Sequence, residues 1–269
     1  MRVSVIVCTY NNVPALELAL ASLLEQRRMP DEIVVADDGS RMDTAAAVRR
    51  RAASSPVPIL HAWQPDDGFR AAAARNNGIR TSSGDYLIFL DGDCFVHRQF
   101  IADHLRAARP GCFLAGTRVN LKPARQRHVL RTGDRRISVL SWGTSKKLNA
   151  LRWPWLGRLH RHRPGFASAN CSAWRDDIYR INGFNEEFQG HGGEDTDFAL
   201  RLQNAGCERI RLVHAGIAYH LAHPEHPRGD PRAIHHLLEQ ALHGAIACDH
   251  GLSAHPRPVP LAVPLRRAA

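Results

Sequence analysis

Two aspartates stand two residues apart where an apolar run stops, Tyr86-Leu87-Ile88-Phe89-Leu90 followed by Asp91-Gly92-Asp93. In an extended segment, residues i and i+2 point the same way. The two carboxylates would therefore repel. A divalent cation relieves that repulsion, and hard oxygen ligands suit Mg²⁺ or Mn²⁺. Such an ion can bridge two phosphates and stabilise a departing diphosphate as a Lewis acid. A lone Asp-x-Asp arises often by chance, so the meaning lies in what accompanies it.

Three further groups accompany it. Gly192-Gly193-Glu194-Asp195 places two acids at the start of a helical pattern, behind glycines that let backbone approach a ligand. One carboxylate there can take a proton from an acceptor hydroxyl as general base; the competing reading is plain helix capping. His214, His220, His223 and His226 follow, and a neutral imidazole from this group could complete a metal shell. Arg75, in Ala74-Arg75-Asn76-Asn77-Gly78, offers a guanidinium that could pair with diphosphate oxygens, or simply face solvent from its helix.

The elements that must position these groups alternate. Val3 to Val7 is a continuous apolar run, as expected of a strand covered on both faces. Leu16, Leu20, Leu23 and Leu24 recur at helical spacing within Pro14 to Glu25. Strands are expected at 32–36, 57–61 and 86–90, and helices at 43–53 and 69–79. This β-α-β-α order predicts a mostly parallel α/β sheet with right-handed crossovers. Ligands bind beyond the carboxyl ends of such strands. Thr9-Tyr10-Asn11-Asn12, Asp37-Asp38-Gly39-Ser40 and Asp91-Gly92-Asp93 all fall there. The second half is less regular: a strand at 167–174, a short helix at 176–181, a helix at 194–205, a strand at 210–213 and an amphipathic helix at 231–247. The Pro-rich stretch 253–269 reads as disordered.

Composition narrows the class. The 269 residues are 44% apolar with a formal charge of +10. From Arg118 to Arg163 there are thirteen Lys or Arg and one acid, a local +12 that leaves −2 for the remainder. The basicity is thus one insert on a near-neutral domain. With Trp153 and Trp155 it suits contact with an anionic lipid surface or a phosphorylated acceptor; the competing reading is a solvated, charged surface. No run approaches the roughly 18 apolar residues of a membrane span, and the N-terminus reads as a strand, not a signal peptide. The six scattered cysteines form no C-x-x-C pair, which fits a reducing cytoplasm. A cytoplasmic placement is expected, with peripheral contact at the cytoplasmic face of a membrane.

The ordered set Val5-Ile6-Val7-Cys8-Thr9-Tyr10-Asn11, Asp37-Asp38-Gly39-Ser40, Ala74-Arg75-Asn76-Asn77-Gly78 and Asp91-Gly92-Asp93 resembles the family-2 glycosyltransferases of GT-A fold. It covers about the first 100 residues. Asn182-Gly183-Phe184-Asn185-Glu186-Glu187-Phe188 and Gly192-Gly193-Glu194-Asp195-Thr196-Asp197 look like the C-terminal half of galactosyltransferases and chondroitin-polymerase-type enzymes. His191 stands where that family usually has Trp, which puts the sugar preference in doubt. The resemblance implies a GT-A domain over 1–225, with a nucleotide-binding half (1–117), the basic insert (118–165) and an acceptor half (166–225). A C-terminal helix (226–252) and a tail would follow.

The resemblance also implies roles. Thr9, Tyr10 and Asn11 would line the donor site, and Asp38 would hydrogen-bond the base, usually uracil. Arg75 would touch base or phosphate, Asp91 and Gly92 would border ribose and metal, and Asp93 would ligate the metal. Asp195 would be the base, with Glu194 binding acceptor or donor sugar. His220 would be the second metal ligand, with His214 as second choice, and the ion would be Mn²⁺ or Mg²⁺. The expected reaction is inverting transfer of a hexosyl or N-acetylhexosaminyl group from a UDP-sugar to a hydroxyl of a glycan or lipid-linked saccharide. A nucleotidyltransferase would need a Gly-rich basic loop after the first strand, where Thr9-Tyr10-Asn11-Asn12 stands. A nucleic-acid binder would not need these acids, so no nucleic-acid partner is expected.

Overall fold

The computed structural model describes residues 1–157, 166–223 and 228–254. Its first half builds a parallel sheet from β1 (Val3–Thr9), β2 (Glu32–Asp37), β3 (Ile59–Trp63) and β4 (Tyr86–Asp91). The crossovers are α1 (Val13–Leu23), α2 (Met42–Ala53) and α3 (Ala71–Thr81). The apolar run of β1 is buried on both faces. Val3, Val5 and Val7 pack against Leu16, Leu20 and Leu23 of α1, while Ile6 joins Ile79 of α3 on the other side. A Cβ on Gly78 would lie 2.6 Å from Ile6 Cγ2 and 3.1 Å from the Cβ of Ala36. Only glycine lets α3 lie this close to β1 and β2.

The chain continues through β5 (Cys94–Val96), α4 (Phe100–Ala107), β6 (Cys112–Ala115), β7 (Thr117–Leu121), α5 (Pro123–Thr132), β8 (Thr144–Ser145) and α6 (Pro154–Gly157). It ends with β9 (Asn170–Trp174), α7 (Arg175–Arg180), α8 (Glu194–Asn204), β10 (Glu208–Arg211), β11 (Ile217–His220) and α9 (Pro231–Leu242). The main sheet has the order β10-β6-β9-β4-β1-β2-β3. β9 is its antiparallel member, inserted between β4 and β6. A second sheet, β5-β11-β7-β8, stands beside it. Its own core contains Phe95, Val119, Ile217 and Tyr219, with the Phe95 and Tyr219 rings stacked at 4.9 Å.

The expected α/β class and mostly parallel sheet are what the chain forms. Several elements differ in detail. β5, β8 and β11 are two to four residues long, too short for the alternation that reveals a strand, while β7 alternates over five residues at the start of the stretch read as an insert. β10 ends at Arg211, two residues before the expected Val213. α9 stops at Leu242, and Gly244 follows at φ +97°, so the amphipathic stripe to Ala247 is not one helix. Of the expected disordered tail, residues 255–269 lie outside the described residues. Leu252–Ala254 form a 3-10 turn, with Leu252 buried and its carbonyl accepting from Arg80 Nη1.

His104 of α4 is enclosed between the two strand systems. Its ring meets Ser172 Oγ at 2.8 Å and Asn170 Oδ1 at 3.1 Å. Burial pushes its pKa down to about 4, against the opposing pull of the Asn170 hydrogen bond. The native imidazole is therefore neutral, while the unfolded chain protonates near 6.5. The stability it contributes is complete above pH 6.5 and is lost as pH falls from 6.5 toward 4. A native state that stays neutral while the unfolded state is protonated loses about 1.4 kcal/mol per pH unit. Urea unfolding of wild type and His104→Gln across this window should show the extra acid sensitivity in wild type alone. Equal pH slopes would remove His104 as the cause.

Candidate active site

Strand register does the first placing. Cys8 of β1 lies beside Asp91 of β4, and Thr9 lies beside Asp37 of β2. The three strands thus end together. Gly92 turns the chain directly against β1, its N–H donating to the Cys8 carbonyl at 2.7 Å. A Cβ there would lie 2.9 Å from both the Cβ and Oγ1 of Thr9. The glycine in Asp91-Gly92-Asp93 is required by this approach.

Arg75 is the centre of the site. It is 5% exposed. Its Nη2 donates to Asp91 Oδ1 at 3.1 Å, and its Nη1 lies 3.6 Å from Glu194 Oε1. Its guanidinium also lies over the Phe184 ring at 5.5 Å. Burial opposes the charge, but Asp91, Asp195 and Glu194 together hold the guanidinium firmly protonated. The reciprocal effect is visible on the acids. Burial raises the pKa of Asp91, with Arg75 pulling it down and Asp93 and Asp195 pushing it up. Burial likewise raises Glu194, helped by Asp195 and opposed by Arg75. Two polar atoms here are buried without a hydrogen-bond partner, Arg75 Nη1 and Asp195 Oδ1.

The residues beside Arg75 set its place. Asn76 is fully buried and clamps the Asn182–Phe184 loop, giving its amide to the Phe184 carbonyl and Glu186 Oε1, both at 2.8 Å, and accepting from the Phe184 N–H at 2.9 Å. Asn77 donates to Gln64 Oε1 at 2.8 Å, and Gln64 Nε2 donates to Asp38 Oδ1 at 2.7 Å. Asp38 Oδ2 accepts from the Arg70 N–H at 2.8 Å. Burial raises the Asp38 pKa against these hydrogen bonds. Each Asp38 oxygen therefore already serves the fold while a lone pair remains on each.

Around it lie the other strand-end residues. The Asn11 N–H donates to Ser40 Oγ at 2.8 Å and its Oδ1 accepts from the Arg41 N–H at 2.9 Å. Tyr10 is exposed, its hydroxyl 3.1 Å from Asp66 Oδ2. Trp63, also exposed, donates from Nε1 to the Ser40 carbonyl.

On the other flank, antiparallel pairing of β5 with β11 sets His220 opposite Cys94, and the Leu221 N–H donates to the Asp93 carbonyl at 3.0 Å. Asp93 Oδ2 lies 3.3 Å from His220 Nε2 and 3.1 Å from His223 Nε2. The two imidazole nitrogens are 3.2 Å apart. The buried Cys94 Sγ lies 3.4 Å from Asp93 Oδ1. Burial opposes ionisation of Asp93, yet the two histidines outweigh it and hold its carboxyl well below the usual range. One carboxylate and two imidazoles converging in this way fit a first-row divalent cation better than Mg²⁺, which takes oxygen ligands. His214 lies elsewhere, its Nδ1 3.1 Å from the Leu151 carbonyl. His226 falls outside the described residues.

The structure thus brings Thr9, Asn11, Asp38, Arg75, Asp91, Gly92, Asp93, Glu194 and Asp195 to one end of the sheet, with His220 on the flank. Sequence reasoning missed Gln64, Asn76, Asn77 and the pairing of His223 with His220. The two asparagines after Arg75 were the available signal for the first three, and the His220-x-x-His223 spacing was the signal for the last.

A mostly parallel α/β sheet with carboxylates gathered at its strand ends and imidazoles on the flank is the architecture of GT-A nucleotide-sugar transferases. The chain belongs to glycosyl transferase family 2, whose family model matches residues 4–170. The model described as N-terminal domain of galactosyltransferase matches residues 157–224. Validoxylamine A glucosyltransferase of Streptomyces hygroscopicus subsp. limoneus is 31% identical over 220 residues, covering 76% of this chain and 48% of that protein. Chondroitin synthase of Escherichia coli is 26% identical over 244 residues, covering 82% of this chain and 35% of that one. The chain spans half or less of the length of these two relatives. Among solved structures, S. aureus TarS 1–349 in complex with UDP-GlcNAc superposes with a TM-score of 0.64 at 15% identity, over 94% of this chain and 69% of that one. The mannosyltransferase PcManGT from Pyrobaculum calidifontis, in complex with GDP-Man and Mn²⁺, gives 0.58 at 22%, over 91% and 62%.

If His223 shares the cation with Asp93 and His220, then His223→Ala should weaken Mn²⁺ binding by roughly tenfold or more, the scale seen when a metal site loses support. Electron paramagnetic resonance of free Mn²⁺ reads this directly. Unchanged affinity would place His223 outside the shell.

Proposed function

We propose that this chain transfers a hexosyl or N-acetylhexosaminyl group from a UDP-sugar to an acceptor hydroxyl with inversion, using Asp195 as general base. The observation that carries this reading is Asp195 Oδ1, a buried carboxylate oxygen with no hydrogen-bond partner, at the start of α8 beside the Arg75 cluster. A buried acceptor without a donor is costly, and a substrate hydroxyl would satisfy it. Asp195 takes the hydroxyl proton as the oxygen attacks the anomeric carbon, and the bond to the nucleoside diphosphate breaks on the opposite side. A single displacement inverts that carbon.

The other groups orient and neutralise. Glu194 Oε2 accepts from the Gly192 N–H at 3.2 Å, and Gly192 and Gly193 have φ of +117° and +95°. Glu194 therefore holds the loop that presents Asp195, with its other oxygen toward Arg75. Asp91 is set by Arg75 toward the donor ribose. Asp38, Thr9, Tyr10 and Asn11 border the base, and the remaining lone pairs of Asp38 would receive its N–H. A divalent cation held by Asp93, His220 and His223 would supply charge stabilisation of the departing diphosphate. The donor sets favour Mn²⁺, the ion present with PcManGT. UDP-GlcNAc bound to TarS and the relationship to polysaccharide synthases support a UDP-sugar and a glycan or lipid-linked acceptor.

The basic insert supports contact with an anionic membrane face. Among the described residues, Leu130, Leu140, Trp142, Leu148, Trp153 and Trp155 are large exposed apolar side chains on it. Its charge is only partly available, however. Arg135 pairs with Glu25, Arg136 with Asp134, and Arg152 with the buried Asp103. No helix among the described residues is long and apolar enough to cross a membrane.

A panel of sugar nucleotides, assayed for Mn²⁺-dependent release of nucleoside diphosphate, tests the function and identifies the donor. Asp195→Asn should retain donor affinity and lose about 10² to 10⁴ in kcat, the usual worth of a general base. A loss below about tenfold with a competent acceptor would remove Asp195 from that role.

A further inference from the structure

Away from the Arg75 cluster, a cleft of about 430 Å³ opens between α4, the end of β10 and the start of α6. Its apolar floor is made by Ala107, Ile210, Leu212, Val213 and Ala215, and its rim by Arg106, Arg109, Arg152 and Arg211 with Pro154 and Trp155. Asp103 is the one acid among the described residues of this lining. That carboxylate is already committed. Its Oδ1 accepts from Arg106 Nη1 at 2.9 Å and Arg152 Nη2 at 2.6 Å, and its Oδ2 accepts from Arg152 Nε at 3.0 Å and the Gly216 N–H at 3.1 Å. A carboxylate has about four acceptor sites, so Asp103 has no capacity for further donors. The described lining thus carries four arginines and one acid, and Arg106 and Arg152 share that acid. Trp155 is 61% exposed at this rim, and Trp153, edge-on to it at 5.4 Å, is 44% exposed.

We propose that this cleft binds a lipid phosphate, a phosphate ester carrying an apolar chain. Arginine forks match phosphate oxygens geometrically. The apolar floor beneath them has no use for a bare anion but would receive the first methylenes of a chain. Exposed indoles beside the opening are the side chains that settle at a lipid–water boundary. The same chemistry could be offered by an anionic phospholipid of a bilayer or by the phosphate of a lipid-linked acceptor. The proposal deepens the membrane-contact reading of the insert by giving it a defined pocket. It places no demand on the donor site, because none of the cleft residues belongs to the Arg75 cluster or the metal set.

Titration calorimetry on the intact chain tests it with three probes: dihexanoyl phosphatidic acid below its micelle concentration, dihexanoyl phosphatidylcholine and inorganic phosphate. Phosphatidic acid should bind saturably and at least tenfold more tightly than either other probe. The variant Arg106→Gln/Arg109→Gln, which removes two exposed guanidiniums and leaves the Arg152–Asp103 pair, should lose at least tenfold in that affinity. Its donor hydrolysis should match wild type. No saturable binding, phosphate binding as tightly as the lipid, or an unaffected double variant would each overturn the proposal. Co-sedimentation with phosphatidylglycerol vesicles then separates the sources. Binding lost in the double variant identifies a bilayer lipid, whereas monomer binding without vesicle binding identifies a carried lipid phosphate. Vesicle binding that persists in the double variant while monomer binding is absent would leave the surface contact standing without the cleft.

Discussion

A single buried cation, Arg75, holds the chemical end of this molecule together. A guanidinium taken out of water without partners would cost several kcal/mol. Here it is met by Asp91 from β4, by Glu194 at the start of α8, and by the charge of Asp195 beside it. The acids have the converse need. Asp91, Glu194 and Asp195 could not crowd into one buried space without a positive charge among them. One arginine does not balance all three, and Asp93 adds a fourth on the flank. The site is built short of positive charge, an electrostatic setting that would favour a divalent cation.

The placement of Arg75 depends in turn on its neutral neighbours. Asn76 ties α3 to the Asn182–Phe184 loop, and Arg201, buried and paired with Asp197, donates to the Ile181 and Gly183 carbonyls of the same stretch. Phe184 then lies flat on Phe198 of α8, with ring centroids 4.1 Å apart and an angle of 9°. The α7–α8 region is thereby bolted to α3 and the parallel sheet through one asparagine, one arginine and a stacked pair. These contacts explain why the chain spends so many polar residues in its interior.

Much of this was legible in sequence where a local pattern carries the physics. The unbroken apolar run of β1 announced a strand covered on both faces, and the polar strand ends announced the site. The glycine of Asp91-Gly92-Asp93 was legible as part of a motif, although its reason, the 2.9 Å approach to Thr9, needs three dimensions. What could not be read was anything that depends on pairing across distance. β5 and β11 have three and four residues, too few for a period, and their union brings His220 and His223 to Asp93. Arg75 read equally well as a solvent-facing or a ligand-facing cation, because only packing reveals that its partners are protein carboxylates. Arg152 read as one of many surface charges, while Asp103 had already claimed it.

The antiparallel insertion of β9 has a consequence for how such a chain is made. β4 is apolar on both faces and central in the finished sheet, yet one of its edges has no partner until residues 170–174 emerge from the ribosome. For the eighty or so residues between them, translated over several seconds, a nascent chain carries a long apolar strand with a bare row of amide and carbonyl groups, the kind of edge that recruits other strands. β6 cannot shield it, because β6 reaches the sheet only through β9. The same delay applies to the flank of the site, since His220 and His223 arrive later still. A ribosome-bound intermediate would thus hold the parallel strands β1 to β4 with one sticky edge and an incomplete Asp93 cluster. The arrival of β9 is the step that closes that edge.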